Sequence, residues 1–321
     1  MKGALSLAAI KELDKSDMLN LLLDFPDQCR AAMDIAGKAR ISVDKKDFNK
    51  IVFAGLGGSA IGADLVKSYL YFKSKLAISV VREYQLPAYV DGSTLVFISS
   101  YSGNTEETIA SYEDAKKRGS SIIVVSSGGA LKERAQKDGF TFIGIPQGLP
   151  PRCSLGYLSL IPLAVLARLA LAEDPASAVA QLVKTLEGLR ERLHPRTGLK
   201  ENISKSVAAR LHNKYAIIYS ASVHFDICAI RMRGQLAENS KALSSSHVFP
   251  EMNHNEIVGW ENPGKLFKDF VVVMLKDKGM YPRVIRRMDI TEEILRKEDI
   301  KIIEINSIGE DLLSRIFSLI Y

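Results

Sequence analysis

Ser99-Ser100-Tyr101-Ser102-Gly103-Asn104-Thr105 is the stretch whose composition most plainly suits chemistry. It follows an apolar run, Thr94 to Ile98, that reads as a buried strand, and precedes an amphipathic run, Glu106 to Lys117, that reads as a helix. A turn between a strand and a helix offers unpaired backbone N–H donors and the positive end of the helix dipole. Small hydroxyl residues there admit a ligand closely and add donors, which suits an anion, most simply a phosphate. The alternative is an ordinary polar turn closed by a Ser or Thr helix cap.

A second small-residue turn, Gly57-Gly58-Ser59-Ala60-Ile61-Gly62, follows the apolar strand pattern of Ile51 to Leu56. Gly55, Gly57 and Gly62 mimic a dinucleotide fingerprint only loosely, and Glu83 is the only candidate for its ribose-binding acid, so a nicotinamide site is disfavoured. In a doubly wound sheet the carboxyl ends of neighbouring strands share a crevice. Gly58, Ser59, Ser100, Ser102 and Thr105 are therefore expected to converge on one anion.

Two further groups suit proton transfer and charge stabilisation. Glu238 lies in Gly234-Gln235-Leu236-Ala237-Glu238-Asn239-Ser240-Lys241, and His254 in Pro250-Glu251-Met252-Asn253-His254-Asn255-Glu256. A carboxylate and an imidazole suit proton transfer at a carbon next to a carbonyl; the alternative is a surface Glu and a loop His. Arg152, presented by the rigid Pro150-Pro151 turn, suits an enediolate or a phosphate, or else is a solvent-exposed arginine. His247, His254, Glu251 and Glu256 match no metal-ligand spacing, so no metal is expected.

The elements that must position these groups alternate. Residues 1 to about 45 read as helical, with Asp17 and Pro26-Asp27 as helix starts. Strands are expected at 51–56, 77–81, 94–98, 121–126 and 141–145, with helices between most of them. Apolar strands of this length separated by helices argue a parallel sheet covered on both faces. Leu155 to Ala172 reads as a buried helix and Ala176 to Leu193 as a charged connecting helix. The theme then repeats, with strands at 214–219, 269–275 and 301–305. The expectation is α/β: two lobes, each a mainly parallel sheet flanked by helices.

Composition bounds the function. In 321 residues, 47% are hydrophobic and 25% charged, as in globular proteins, and the formal net charge is +6. Lysines and arginines are spread along the chain, and no nucleic-acid motif is visible, so nucleic acid is not an expected partner. Cys29, Cys153 and Cys228 are odd in number and far apart, which argues against a disulfide framework or zinc site and for a reducing cytoplasm. No signal-peptide architecture or membrane-length apolar run is seen, so no membrane partner is expected.

Taken together, Gly57-Gly58-Ser59, Ser100 to Thr108, Pro150-Pro151-Arg152, Glu238 to Lys241 and Pro250 to Glu256 resemble the archaeal-type bifunctional phosphoglucose/phosphomannose isomerases. That family is a branch of the phosphoglucose isomerase superfamily, built from two sugar isomerase (SIS) domains. The likeness runs in order from about residue 50 to the C-terminus. It implies N-terminal helices plus a first doubly wound SIS domain over 1–172, a connecting helix over 173–198 and a second SIS domain over 199–321. It implies reversible aldose–ketose isomerisation of glucose 6-phosphate and mannose 6-phosphate with fructose 6-phosphate, without a cofactor. Gly58, Ser59, Ser100, Ser102 and Thr105 would hold the phosphate. Glu238 would move a proton between C1 and C2 through a cis-enediol(ate), and Arg152 would stabilise its charge. His254, contributed by the neighbouring subunit of a homodimer, would help open the sugar ring. Members continue past the last helix read here and carry a C-terminal lysine. The last lysine in this chain is Lys301, so the expectation is a chain lacking that extension or one in which another residue takes the lysine's part. The alternative from another class is a non-catalytic sugar-phosphate-binding SIS protein, a sensor or regulator, which would keep the loop at 99–108 and lose the Glu–His pair.

Overall fold

The computed structural model of the chain describes residues 5–43, 47–262 and 264–321. It divides into two compact units, one of Asp24–Ala180 and the other of the residues up to Leu23 with Gln181–Tyr321. Of the helical stretch expected from 1 to about 45, residues 1–4 and 44–46 lie outside the described residues. Helix α1 (Leu7–Leu13) is capped by Ser6, whose Oγ accepts from the Ala9 amide at 3.2 Å. Helix α2 (Met18–Leu23) starts one residue after Asp17, but the acceptor for its first amides is Asp14, which takes Met18 N at 2.9 Å and Leu19 N at 2.7 Å. Helix α3 (Phe25–Lys38) carries Pro26 in its first turn, where a missing N–H costs nothing.

Within Asp24–Ala180 strands and helices then alternate, except that β2 is followed directly by β3. The chain runs through β1 (Lys50–Ala54), α4 (Gly57–Leu70), β2 (Ala77–Val81), β3 (Thr94–Ser99), α5 (Glu106–Lys117), β4 (Ser121–Ser126), α6 (Gly129–Asp138), β5 (Thr141–Gly144) and α7 (Leu155–Arg168). The five strands form one parallel sheet in the order β2-β1-β3-β4-β5, with Ala54 opposite Ile98 and Ser99 opposite Val125. Every residue of β3, and Ile51 to Ala54 of β1, is buried, because helices cover both faces. Val52, Ala54, Val96, Ile98 and Val124 face Tyr112 and Leu131 in one core layer, and Phe53 stacks on Phe97 with ring centroids 4.9 Å apart. Helix α7 is buried from Leu155 to Leu166 despite Pro162, and its Arg168 emerges to donate to the carbonyls of Ala36 and Ala39 at the end of α3.

Helix α8 (Ala176–Arg192) buries Val179, Leu182, Val183, Leu186 and Leu189, a stripe at helical spacing. Beyond it come α9 (Ile203–Leu211), β6 (Tyr215–Ala221), α10 (Asp226–Ser240), β7 (Ser244–Phe249), β8 (Phe270–Lys276), α11 (Pro282–Lys297), β9 (Lys301–Asn306) and α12 (Leu312–Ile320). The second sheet is also parallel, in the order β7-β6-β8-β9. Strand β7 was not expected from the sequence. Its Ser244-Ser245-Ser246-His247 lacks an apolar run, and it forms as a half-buried edge strand because β6 supplies the hydrogen bonds. The connections leave β6 and β8 in opposite directions along the sheet, and the right-handed rule for such crossovers would put α10 and α11 on opposite faces. Among the described residues no helix is long and apolar enough to cross a membrane.

Candidate active site

In the five-stranded sheet the chain leaves β1 for β2 on one side and resumes with β3 on the other. The carboxyl ends of β1 and β3 therefore open at a topological switch point. The Gly-Gly-Ser stretch there is not a loop, because α4 begins at Gly57 and places Ser59 in its first turn. Ser59 is buried, and its Oγ accepts from the Tyr101 amide at 3.3 Å. One hydrogen bond thus joins the two small-residue turns that carry Gly58 and Ser59 on one side and Ser100, Ser102 and Thr105 on the other.

The loop after β3 is held from within. Ser100 Oγ and Thr105 Oγ1 lie 2.9 Å apart, Gly103 N donates to Ser100 Oγ at 3.2 Å, and Asn104 N donates to Ser102 Oγ at 3.2 Å. Thr105 occupies the N-cap position of α5 but makes no side-chain cap hydrogen bond. Its hydroxyl is committed to Ser100 instead. The first-turn amides of α5 therefore keep their electropositive character, and the capped-turn alternative does not describe this loop.

Asn104 has a different task. Its Oδ1 accepts from Ala130 N at 2.9 Å and so caps α6. Gly103 adopts φ +71°, and a Cβ there would run into the Gly128 carbonyl, so only glycine fits where the two turns touch.

Arg152 sits in a 3-10 turn, Pro151–Cys153, directly against the start of α4. A Cβ on Gly58 would stand 2.9 Å from the Pro151 carbonyl oxygen. Gly58 thus has a packing reason: its missing side chain admits the turn that carries Arg152. Two residues that sequence reasoning left unassigned hold this region. The Tyr101 phenol donates to Pro146 O at 3.0 Å and accepts from Leu149 N at 2.7 Å. The Gln28 amide, from α3, donates to Cys153 O and accepts from Gly156 N, both at 2.7 Å. Tyr101 had a signal, as the one bulky residue in a loop of small ones. Gln28, more than a hundred residues away from its partners, had none.

Glu238 and His254 both belong to the other unit, on the segments before and after strand β7. Glu238 is exposed near the end of α10, with Lys241 Nζ donating to its carbonyl at 2.7 Å. Helix α10 runs back along the sheet, so Glu238 precedes the amino end of β7. His254 is exposed in a 3-10 turn, Glu251–His254, that follows the carboxyl end of β7. Asn253 Nδ2 ties that turn to Thr291 of α11 at 3.1 Å. Asn255 donates to Glu251 at 3.0 Å and accepts from Glu256 N at 2.5 Å, so the two asparagines shape the turn itself. Next in the chain, Glu256 accepts from the Tyr219 phenol at 2.5 Å while Trp260 Nε1 donates to the same oxygen at 3.0 Å. Burial, and then the bond to Glu256, push the Tyr219 phenol well above its ordinary value, so it stays a neutral anchor.

Residues 200–321 match the family described as bacterial phospho-glucose isomerase C-terminal SIS domain. The chain is 45% identical over 305 residues to a bifunctional phosphoglucose/phosphomannose isomerase of Caldicellulosiruptor bescii, covering 95% of this chain and 90% of that one. It is 36% identical to the protein of the same description from Aquifex aeolicus, over 88% of this chain and 83% of that one. Among solved structures, the C-terminal domain of glucosamine-fructose-6-phosphate aminotransferase from Francisella tularensis matches with a TM-score of 0.65 at 14% identity, covering 94% of this chain and 92% of that one. That likeness is one of fold.

Proposed function

The chain belongs to the bifunctional phosphoglucose/phosphomannose isomerases, and from that membership we propose that it interconverts glucose 6-phosphate and mannose 6-phosphate with fructose 6-phosphate. The observation that carries the reading is the 45% identity, spread over 95% of the chain, to a relative of that description. The anion-ready loop supports it. The reaction moves hydrogen between C1 and C2 of one molecule, so it is redox-neutral overall and calls for an acid–base group and charge stabilisation.

In this reading the hydroxyls of Ser100, Ser102 and Thr105 and the first-turn amides of α5 hold the phosphate, with Gly58 and Ser59 closing the other wall. Glu238 is the base that takes the proton from one carbon and returns it to the next through a cis-enediol(ate). Arg152 stabilises the oxyanion of that intermediate. His254 opens the sugar ring, and it does so from the neighbouring subunit of a homodimer. Its position after the carboxyl end of β7, with Glu238 before the amino end of that strand, supports that sharing. Cytoplasmic residence fits the three free cysteines.

The test is a coupled assay. Purified protein is given glucose 6-phosphate and, separately, mannose 6-phosphate, and fructose 6-phosphate is followed for wild type and Glu238→Gln. Turnover of both sugars by wild type and its loss in the variant is the expected result. A folded protein that turns over neither sugar is no isomerase of this class, and equal rates in both proteins remove Glu238 from the role of base.

A further inference from the structure

Tyr101 meets three separate parts of the Asp24–Ala180 unit. Its amide donates to Ser59 Oγ at 3.3 Å. Its carbonyl accepts from Ser127 N at 3.0 Å and Ser127 Oγ at 2.6 Å. Its phenol bridges Pro146 O and Leu149 N, at 3.0 and 2.7 Å. The backbone bonds fix the residue in the anion loop. The phenol alone reaches the connector from β5 to the turn of Arg152. At the far end of that turn Gln28 grips Cys153 O and Gly156 N, and Ser154 Oγ closes it on Pro151 O at 2.7 Å.

We propose that Tyr101 is a positioning residue that couples the anion loop to Arg152: its phenol clamps one end of the Arg152 turn while Gln28 clamps the other. The inference rests on the reading of Arg152 as the group that stabilises the enediolate. Two prolines and two side-chain clamps hold the backbone on both sides of Arg152, so the turn that presents it is set relative to the loop before substrate arrives. A misplacement on the order of 1 Å at a charge-stabilising group costs up to ~100-fold in rate. The phosphate grip depends on the backbone of the loop, which the Ser59 and Ser127 contacts hold without the phenol. Losing the phenol therefore separates turnover from phosphate affinity.

The turn carries its own reporter. Cys153 follows Arg152 and is half-buried, whereas Cys29 and Cys228 are fully buried and burial pushes the Cys29 thiol up to about 12. Cys153 is therefore the thiol that an aromatic disulfide reagent reaches in the folded protein. In Tyr101→Phe at pH 8, Cys153 is expected to react at least ~5-fold faster, with Cys153→Ser confirming the assignment. In the isomerase assay kcat falls ~10-fold or more while KM stays within about twofold. In an Arg152→Ala background Tyr101→Phe has no further effect on kcat, a coupling that general loosening of the fold would not give. Gln28→Met, which frees the other clamp and leaves the loop untouched, gives the same signature and serves if Tyr101→Phe does not fold. An unchanged Cys153 rate in both variants overturns the clamp, whether or not the protein proves to be an isomerase. An unchanged kcat, or an equal loss with and without Arg152, overturns the coupling to that residue. If wild type turns over neither sugar, the isomerase reading fails and the thiol rates alone decide the clamp.

Discussion

Glu238 lies near the end of α10, before the amino end of β7, whereas His254 follows the carboxyl end of β7 in a turn that Asn253 ties to Thr291 of α11. Strand β7, six residues long and so about 20 Å, separates their approaches along the sheet. In the proposed reading the two groups serve one substrate from different chains of a homodimer. Equal mixing of Glu238→Gln and His254→Ala chains, after dissociation and reassociation, is therefore expected to restore about one quarter of wild-type activity from two nearly inactive parents. Half the dimers are then mixed, and each has one of its two sites intact. No recovery, with subunit exchange verified by mass, would mean that both groups act within one chain.

The paired hydroxyls of Ser100 and Thr105 are expected to matter for substrate affinity. A hydrogen bond to a charged group contributes about 1.5–3 kcal/mol, or ~10–100-fold. Ser100→Ala and Thr105→Val should each raise KM for glucose 6-phosphate by that order and weaken inhibition by inorganic phosphate in parallel, with kcat less affected. Unaltered phosphate inhibition in both variants would remove this loop from phosphate binding.

Gly103→Ala places a Cβ against the Gly128 carbonyl at a residue held at φ +71°. The left-handed conformation alone costs an L-residue about 1–2 kcal/mol, and the contact forces apart the turns that α5 and α6 share. Urea unfolding is expected to show a loss of at least ~2 kcal/mol, larger than for Gly57→Ala, where nothing crowds the added carbon. Equal losses at the two positions would show that the carbonyl gives way.

Asp91 tests the electrostatics at the amino end of the sheet. It accepts from Ser93 Oγ at 2.6 Å and Ser93 N at 2.9 Å and pairs with Lys50 at 3.2 Å. The bonds from Ser93, and then Lys50, hold its carboxyl down at about 2, against an ordinary 3.8. A folded value below the unfolded one adds stability that is fully present above about 4 and is lost as the pH falls toward 2. The stability difference between wild type and Asp91→Asn should be constant from neutral pH to about 5 and narrow below 4. A difference that does not change with pH would assign the effect of Asp91 to shape.

Much of this was legible in the residues. The Val- and Ile-rich runs at 51–54, 94–98 and 121–126 are strands buried on both faces, and their alternation with helices set a parallel sheet. The hydroxyl loop and the Gly-Gly-Ser turn converge as their places after β1 and β3 required. What failed to show had weak local signals. Strand β7 is a run of serines whose conformation its neighbour imposes. Asp14 caps α2 from four residues before it, past the expected Asp17.

By itself the sequence determined the element types, the α/β class and the residues able to hold an anion, take a proton or carry a positive charge, because apolar periodicity and turn chemistry are local. Only the tertiary structure decided what those residues face. Thr105 reads as a helix cap from its position, yet its hydroxyl goes to Ser100, which the turn brings to 2.9 Å. Gly58 reads as part of a ligand turn, and its missing Cβ also lets Pro151 approach. Tyr101 and Gln28 gain their meaning from partners tens of residues and more than a hundred residues away. Such contacts depend on how strands are ordered in the sheet and how helices pack over it, and no window of neighbouring residues contains that information.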